Sequence, residues 1–410
     1  MNDLDDIDYD DDDESPSPAE CCKKCCDSCC CCGAGRMRYL ILVATLIVAM
    51  GWYGVPFTLI KYTLICGAGL LVYLYTRQGR LLYVPTPGDL PRENDRNPPG
   101  YRSPEEHDLP FENVSITTDD GVRLHAWLIT QPSEVVSLRP TLLLLHGNAG
   151  NVGVRVPNYV QLYHKVGVNM LALEYRGYGE SANVHVGERG LITDAKAALR
   201  FIAQHPDLDS DRIVIFGRSL GGAVAVALSA SVTRARGGEG SSSSGDGGAP
   251  PPRRASSTPS LSSLLRRSDS ASPTPPPPVM DPWSDCRIRG VILENTFMSI
   301  KAMAIGMFPF LQIVNRLLPL LLTSQWRSIE RVDRIRAPIM FLSADDDKVV
   351  PASHMHQLYS RARQGAYGSG GKKGETRHEL HVFTACGHND MPYRAQGYYE
   401  VITRFLQRVM

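Results

Sequence analysis

The hexapeptide Gly217-Arg218-Ser219-Leu220-Gly221-Gly222 follows the apolar run Ile213 to Phe216 and precedes the small-residue run Ala223 to Ala227. A serine between glycines at a strand-to-helix junction is carried outward on a tight turn, because only hydrogen side chains let strand and helix approach so closely. The plainer reading is a packing turn whose serine caps the next helix. A hydroxyl is a weak nucleophile by itself; it needs a general base, and the base needs an orienting carboxylate. Asp345-Asp346-Asp347 follows the predicted strand Pro338 to Leu342, and Gly387-His388-Asn389-Asp390 follows the predicted strand Leu380 to Phe383. An acid and a histidine thus each stand just past a strand's carboxyl end, in the order Ser, Asp, His. Of the 11 histidines, His388 alone lies just after a late strand beside a glycine; His378 and His381 flank or lie within that strand, and His354 and His356 fall on a predicted helix. Asp347 is the preferred acid because the turn Val350-Pro351 follows it, with Asp345 second. Donors for an oxyanion, each contributing about 2.7 to 4 kcal/mol in such sites, are expected from the Leu220 N–H and from Asn148 in the loop His146 to Asn151. His146 itself, at a strand exit, reads as structural.

These residues need a sheet whose strands end together. Short apolar runs alternating with helical stretches from Leu109 onward predict one, with strands near Leu124 to Ile129, Thr141 to Leu145, Val168 to Leu173, Arg212 to Phe216, Gly290 to Leu293, Pro338 to Leu342 and Leu380 to Phe383. From Thr141 on they are too continuously apolar to face water on one side, so helices must cover both faces. Predicted helices include Glu188 to Gln204, Gly221 to Val232 and Tyr393 to Val409. The fold class is α/β, a mostly parallel central sheet. Residues 237–284 interrupt it with 13 Ser, 10 Pro and 6 Gly, a linker composition that cannot pack a core. Gly365 to Gly374 resembles a phosphate loop, yet Ala366 and Lys373 stand where Gly and Ser or Thr are required. No cofactor is expected.

The 43 basic and 43 acidic residues of this 410-residue chain are unevenly spread, with nine acids in the first 14 residues. The remainder's basic excess of nine forms no single stripe, which excludes a nucleic-acid footprint. Eight of 11 cysteines, Cys21, Cys22, Cys25, Cys26, Cys29, Cys30, Cys31 and Cys32, crowd one segment, so a disulfide scaffold is excluded for the bulk of the chain. Residues 1–35 read as a disordered acidic and Cys-rich arm. Residues 37–76 read as a membrane anchor: Tyr39 to Ile60 are 22 uncharged residues, and after Lys61 a second uncharged run reaches Thr76. Gly51, Gly54 and Pro56 supply a break between two apolar pieces, giving one span plus an interfacial segment, or a hairpin. The cysteines fit no zinc spacing; beside an apolar run, cytosolic palmitoylation is the preferred reading.

The strings HGNAGN (146–151), EYRGYGES (174–181), GRSLGG (217–222), ENTF (294–297) and GHND (387–390) together resemble α/β-hydrolase domain-containing protein 13 and its relatives, from about Leu81 to the end apart from the insertion. The resemblance implies an α/β-hydrolase fold over 81–410, a membrane-anchored serine hydrolase, and a triad of Ser219, Asp347 and His388. It supplies no substrate. Membrane anchoring favours a lipid ester or S-acyl thioester, and Ala302 to Leu322, apolar and placed where such folds carry a lid, reads either as acyl-chain or lipid contact or as two core-facing helices. The competing expectation is a hydrolase-like scaffold whose insertion recruits a kinase or adaptor at Arg253-Arg254-Ala255-Ser256 and Arg266-Arg267-Ser268. An integral membrane protein is expected. One span would place the domain in the lumen, with Asn113-Val114-Ser115 as a glycosylation site, and a hairpin would return it to the cytosol.

Overall fold

The computed structural model describes residues 39–48, 57–238, 287–368 and 378–410. The cysteine cluster, the break at Gly51, Gly54 and Pro56, the insertion from 239 onward, and the Gly/Lys-rich stretch from 369 onward lie outside the described residues. Eight strands, β1 (Phe111–Thr117), β2 (Arg123–Ile129), β3 (Thr141–Leu145), β4 (Asn169–Leu173), β5 (Ile213–Arg218), β6 (Ile288–Glu294), β7 (Ile339–Ala344) and β8 (Glu379–Phe383), form one sheet in the order β1-β2-β4-β3-β5-β6-β7-β8. β1 and β2 pair antiparallel, as do β2 and β4, and every other pairing is parallel.

Side-chain alternation along each strand sorts the apolar residues into two cores. Leu143, Leu145, Ile213, Ile215, Val291, Leu293 and Phe341 face α4 (Glu188–Gln204), α5 (Leu220–Gly238) and α8 (Ser353–Gly368), while Leu142, Leu144, Val214, Phe216, Ile292 and Met340 face α3 (Val156–Gln161) and α10 (Tyr398–Val409). Every residue of β3, β4 and β7 is buried, which explains their unbroken apolar sequences. β1 has no such signature: Phe111, Val114 and Ile116 are interleaved with polar residues because the strand lies at the sheet edge and four of its seven residues are exposed. The last predicted helix is two. Gly397 at φ 76° separates α9 (Met391–Arg394) from α10, since the left-handed conformation ends one helix and admits another at a new angle.

On the amino-terminal side are α1 (Tyr39–Val48) and α2 (Phe57–Leu82). No single helix among the described residues is long and apolar enough to cross a membrane; Leu59–Leu70 and Tyr75–Leu82 reach that length and composition only together, bent by 44°. Between β6 and β7 the chain runs through α6 (Ile300–Met307), a 3-10 turn (Pro309–Val314) and α7 (Leu318–Leu321), none of whose residues but Leu318 is buried. Within the Ala302 to Leu322 segment, Met303 packs against the core, and from Met307 onward most apolar side chains are exposed.

Candidate active site

Ser219 sits between β5 and α5 with φ 52°, a strained backbone for a residue bearing a Cβ. The turn closes because its glycines leave no room for anything larger: a Cβ on Gly217 would lie 2.3 Å from the Gly221 carbonyl oxygen, and one on Gly221 would lie 1.9 Å from that of Leu145. The Ser219 N–H donates to the Glu294 carbonyl at the end of β6 (2.8 Å), and its own carbonyl accepts from Thr296 Oγ1 (2.7 Å), so the strain is held from the neighbouring strand.

His388 Nε2 lies 3.0 Å from Ser219 Oγ, and His388 Nδ1 lies 2.6 Å from Asp347 Oδ2. An ionised carboxylate can only accept, so Nδ1 carries the hydrogen and Nε2 presents a lone pair to the serine hydroxyl. The other Asp347 oxygen accepts the N–H groups of Val349 and Val350 at 2.8 Å each, which fixes the carboxylate in a site where it is buried. Asp345 is exposed instead, and Asp346 is exposed and paired with Lys348. Residues 169 and 41 positions apart in the chain from His388 thus meet in one hydrogen-bonded line at the carboxyl edge of the sheet.

Such a line can take a proton from a hydroxyl as that hydroxyl attacks an acyl carbon, and return it to a leaving group. Residues 142–401 match the model of the alpha/beta hydrolase family. The chain belongs to that family. Protein bem46 of Schizosaccharomyces pombe is 32% identical over 82% of this chain and 88% of its own length. The alpha/beta hydrolase domain-containing protein WAV2 of Arabidopsis thaliana is 31% identical over 73% of this chain and 79% of its own. An uncharacterized membrane protein of Saccharomyces cerevisiae is 27% identical over 81% of this chain and 90% of its own. Among solved structures, an esterase from Pyrococcus furiosus shares the fold, at TM-score 0.50 and 17% identity over 80% of this chain and 98% of that one.

Of the hydrolase's two expected oxyanion donors, Leu220 adjoins Ser219 and Asn148 lies in the loop whose Gly147 approaches it. Leu220 is the first residue of α5, where an N–H has no intrahelical acceptor. The loop from His146 to Asn151 approaches from β3: a Cβ on Gly147 would stand 3.6 Å from that of Ser219. The side chain of Asn148 is committed elsewhere, donating to the Leu82 carbonyl (2.6 Å) and accepting from the Val84 N–H (3.3 Å) and the Tyr178 hydroxyl (2.9 Å). What Asn148 can offer an oxyanion is its backbone N–H, a narrower role than its side chain suggested. The Arg155 guanidinium gathers the carbonyls of Gly147, Ala149 and Asn151 and so holds the loop's shape. His146 is buried against Tyr175 (ring centroids 4.3 Å apart) and donates from Nδ1 to Gly147 O. Burial holds its pKa well below the usual histidine value, so it is neutral and structural.

Three further residues position His388, and the sequence had flagged them only as letters of motifs. The His388 carbonyl accepts from Arg218 Nη2 and from Asn295 Nδ2, both at 3.1 Å. Arg218 Nε is 3.2 Å from Glu294 Oε1, and the other Glu294 oxygen accepts the buried Tyr398 hydroxyl. Asn295, at φ 45°, also accepts the Ala344 N–H at the end of β7 (2.9 Å). The only hint in the sequence was a Glu-Asn pair at a strand's carboxyl end, facing an arginine beside the serine.

Asn113 lies on β1, exposed, with its Oδ1 accepting from Trp127 Nε1 (2.9 Å) and facing His125 Nε2 (3.1 Å). Cys386, beside the site, is buried and unpaired; burial raises its thiol pKa, which makes it a poor nucleophile. Among the described residues no group of three or more His, Cys, Asp or Glu is arranged to hold a metal ion.

Proposed function

We propose that the protein is a membrane-anchored serine hydrolase that cleaves an acyl ester or thioester, a lipid ester or S-acyl group being the favoured substrate. Ser219 Oγ attacks the acyl carbonyl while His388 Nε2 takes its proton, and Asp347 stabilises the imidazolium so formed. The oxyanion is received by the N–H groups of Leu220 and Asn148. His388 then protonates the departing oxygen or sulfur, and water, deprotonated by the same imidazole, releases the acid and restores the serine. The observation that carries this reading is the continuous line Ser219–His388–Asp347 at 3.0 and 2.6 Å, built on a serine held at φ 52°. A fluorophosphonate probe tests it. Wild type is expected to label and Ser219→Ala to stay unlabelled; a folded wild type that does not label would favour the scaffold reading.

The lipid preference is supported by the apolar helices before the domain and by the exposed apolar segment after β6. It predicts hydrolysis of long-chain lipid or acyl-thioester substrates in preference to short soluble esters. The same reading makes the protein an integral membrane protein with S-palmitoylated residues in the cluster Cys21 to Cys32, whereas recruitment of a kinase or adaptor by the insertion belongs to the scaffold reading. Hydroxylamine-sensitive acyl exchange on the cluster would register the palmitoylation, and a glycosidase-sensitive mass shift lost in Asn113→Gln would place the domain in the lumen.

A further inference from the structure

The segment after β6 exposes an apolar stripe at helical spacing. Met307, Phe310, Ile313, Leu317 and Leu320 recur every three or four residues, joined by Val314 and Leu321, and all are exposed; Ile313 is 89% and Leu320 77% accessible. They run from the end of α6 through the 3-10 turn into α7, and in a water-facing domain so many large apolar side chains are normally turned to the core. Here they are turned outward, and a contiguous exposed apolar surface of this kind marks a contact with something apolar. Between Met298 and Trp326 the only charged residues are Lys301 and Arg316, both basic.

The neighbour of this stripe is α2. Gln78 of α2 donates to the Leu321 carbonyl (2.7 Å) and accepts the Thr323 N–H (2.8 Å). Just past α2, the Tyr83 hydroxyl donates to Ser324 Oγ (2.9 Å) and accepts from Trp326 Nε1 (3.0 Å) inside the domain. α2 itself exposes Leu59, Tyr62, Leu64, Ile65, Val72 and Tyr73. The carboxyl end of α2 is also tied to the loop beside Ser219, through the Asn148 amide on Leu82 and the pairing of Val84 with Ala149. Helix, apolar segment and site rim are therefore one mechanical unit.

We infer that residues 307–321 form a second membrane-contacting face, seated in the same bilayer as α2, which presents the rim of the Ser219 site to lipid. Its occupant is a bilayer because the stripe adjoins the exposed apolar helix α2, joined to it through Gln78, and because the one charged residue within 307–321 is Arg316, a cation that suits anionic headgroups. The chain's own insertion is a poor occupant, since 29 of its 48 residues are Ser, Pro or Gly. The face would bring a bilayer-borne substrate to a half-buried serine and histidine without its crossing water, and in that respect it rests on the hydrolase reading.

The test uses the full-length protein in phosphatidylcholine and phosphatidylserine vesicles, with the photoreactive p-benzoylphenylalanine replacing Ile313 or Leu320. Phospholipid adducts found by mass spectrometry at both positions, as at Leu64 of α2, and none at Val382 on the edge strand β8, support the face. Adducts at Leu64 but not at 313 and 320, adducts to a second copy or to the chain's own insertion, or no lipid adduct at Leu64 would each overturn it. In parallel, Ile313→Asp with Leu320→Asp should slow hydrolysis of a vesicle-borne long-chain ester by about tenfold or more while fluorophosphonate labelling and a short soluble ester are unchanged, since two charges on the face oppose its seating in apolar surroundings. Equal loss on both substrates overturns the inference, because the segment would then shape the pocket. A wild type that crosslinks to lipid yet neither labels nor hydrolyses leaves the face standing and removes the hydrolase reading.

Discussion

Two leucine-rich stretches of this protein meet opposite fates. In β3, Thr141-Leu142-Leu143-Leu144-Leu145 is buried throughout, whereas in Leu317-Leu318-Pro319-Leu320-Leu321 three leucines are exposed and only Leu318 is buried. The difference lies in what flanks them. β3 is hydrogen-bonded to β4 on one side and β5 on the other, with helices over both faces, so every side chain has a partner. The later stretch is tied at its carboxyl end, where Gln78 of α2 bonds Leu321 and Thr323 and, just beyond, Tyr83 bonds Ser324 and Trp326, and its outer stripe is exposed. Apolar composition therefore signals a non-aqueous neighbour without saying whether that neighbour is protein.

The contrast extends to function: β3 and its neighbours position the Ser219 site, and the exposed segment carries the contact with lipid inferred above. The largest effect should fall on the chemistry. Ser219→Ala is expected to lower kcat by about 10⁴-fold or more with little change in stability, and Asp347→Asn by about 10⁴-fold, measured by single-turnover hydrolysis. Next, Leu143→Ala should cost about 2–5 kcal/mol in urea unfolding, and Leu320→Ala within about 0.5 kcal/mol of zero; comparable losses at both positions would abolish the comparison. Asn295→Ala, which frees the His388 carbonyl on one side, should lower kcat about 10- to 100-fold with KM held, since a misplacement of about 1 Å costs that much. An unchanged kcat would reduce Asn295 to a strand tie.

The smallest effect is on pH. Burial depresses the pKa of His146 and His354 below the free value of about 6.5. The unfolded chain takes up these protons first, so the stability they contribute is complete above that value and is lost as the pH falls below it. The unfolding midpoint should drop between about pH 7 and 5, and less so in His146→Gln; an identical drop in the variant would assign it to other groups.

Seven of the eight strands were legible because each contains a short, mainly apolar run bounded by polar or glycine-bearing segments. β1 was hidden by its polar alternation, which an edge strand allows. The division of the last helix at Gly397 was equally hidden, because one glycine within a periodic pattern does not reveal its φ. The residues of the Ser-His-Asp line could be named from the sequence, including the preference for Asp347 over Asp345. What could not be read were Arg218 and Asn295, which bond the carbonyl of His388 far along the chain, Glu294, which meets Arg218 and Tyr398, and Arg155, which gathers three carbonyls of its own loop.

By itself the sequence determined the α/β alternation, the strained serine turn and the residues able to form a proton relay, since these follow from local patterns of size, polarity and glycine. Only the tertiary structure decided which aspartate faces His388, that Asn148 spends its side chain on α2, and that the apolar stripe after β6 points away from the core. Each depends on contacts between segments tens to hundreds of residues apart, for which a one-dimensional pattern carries no distance.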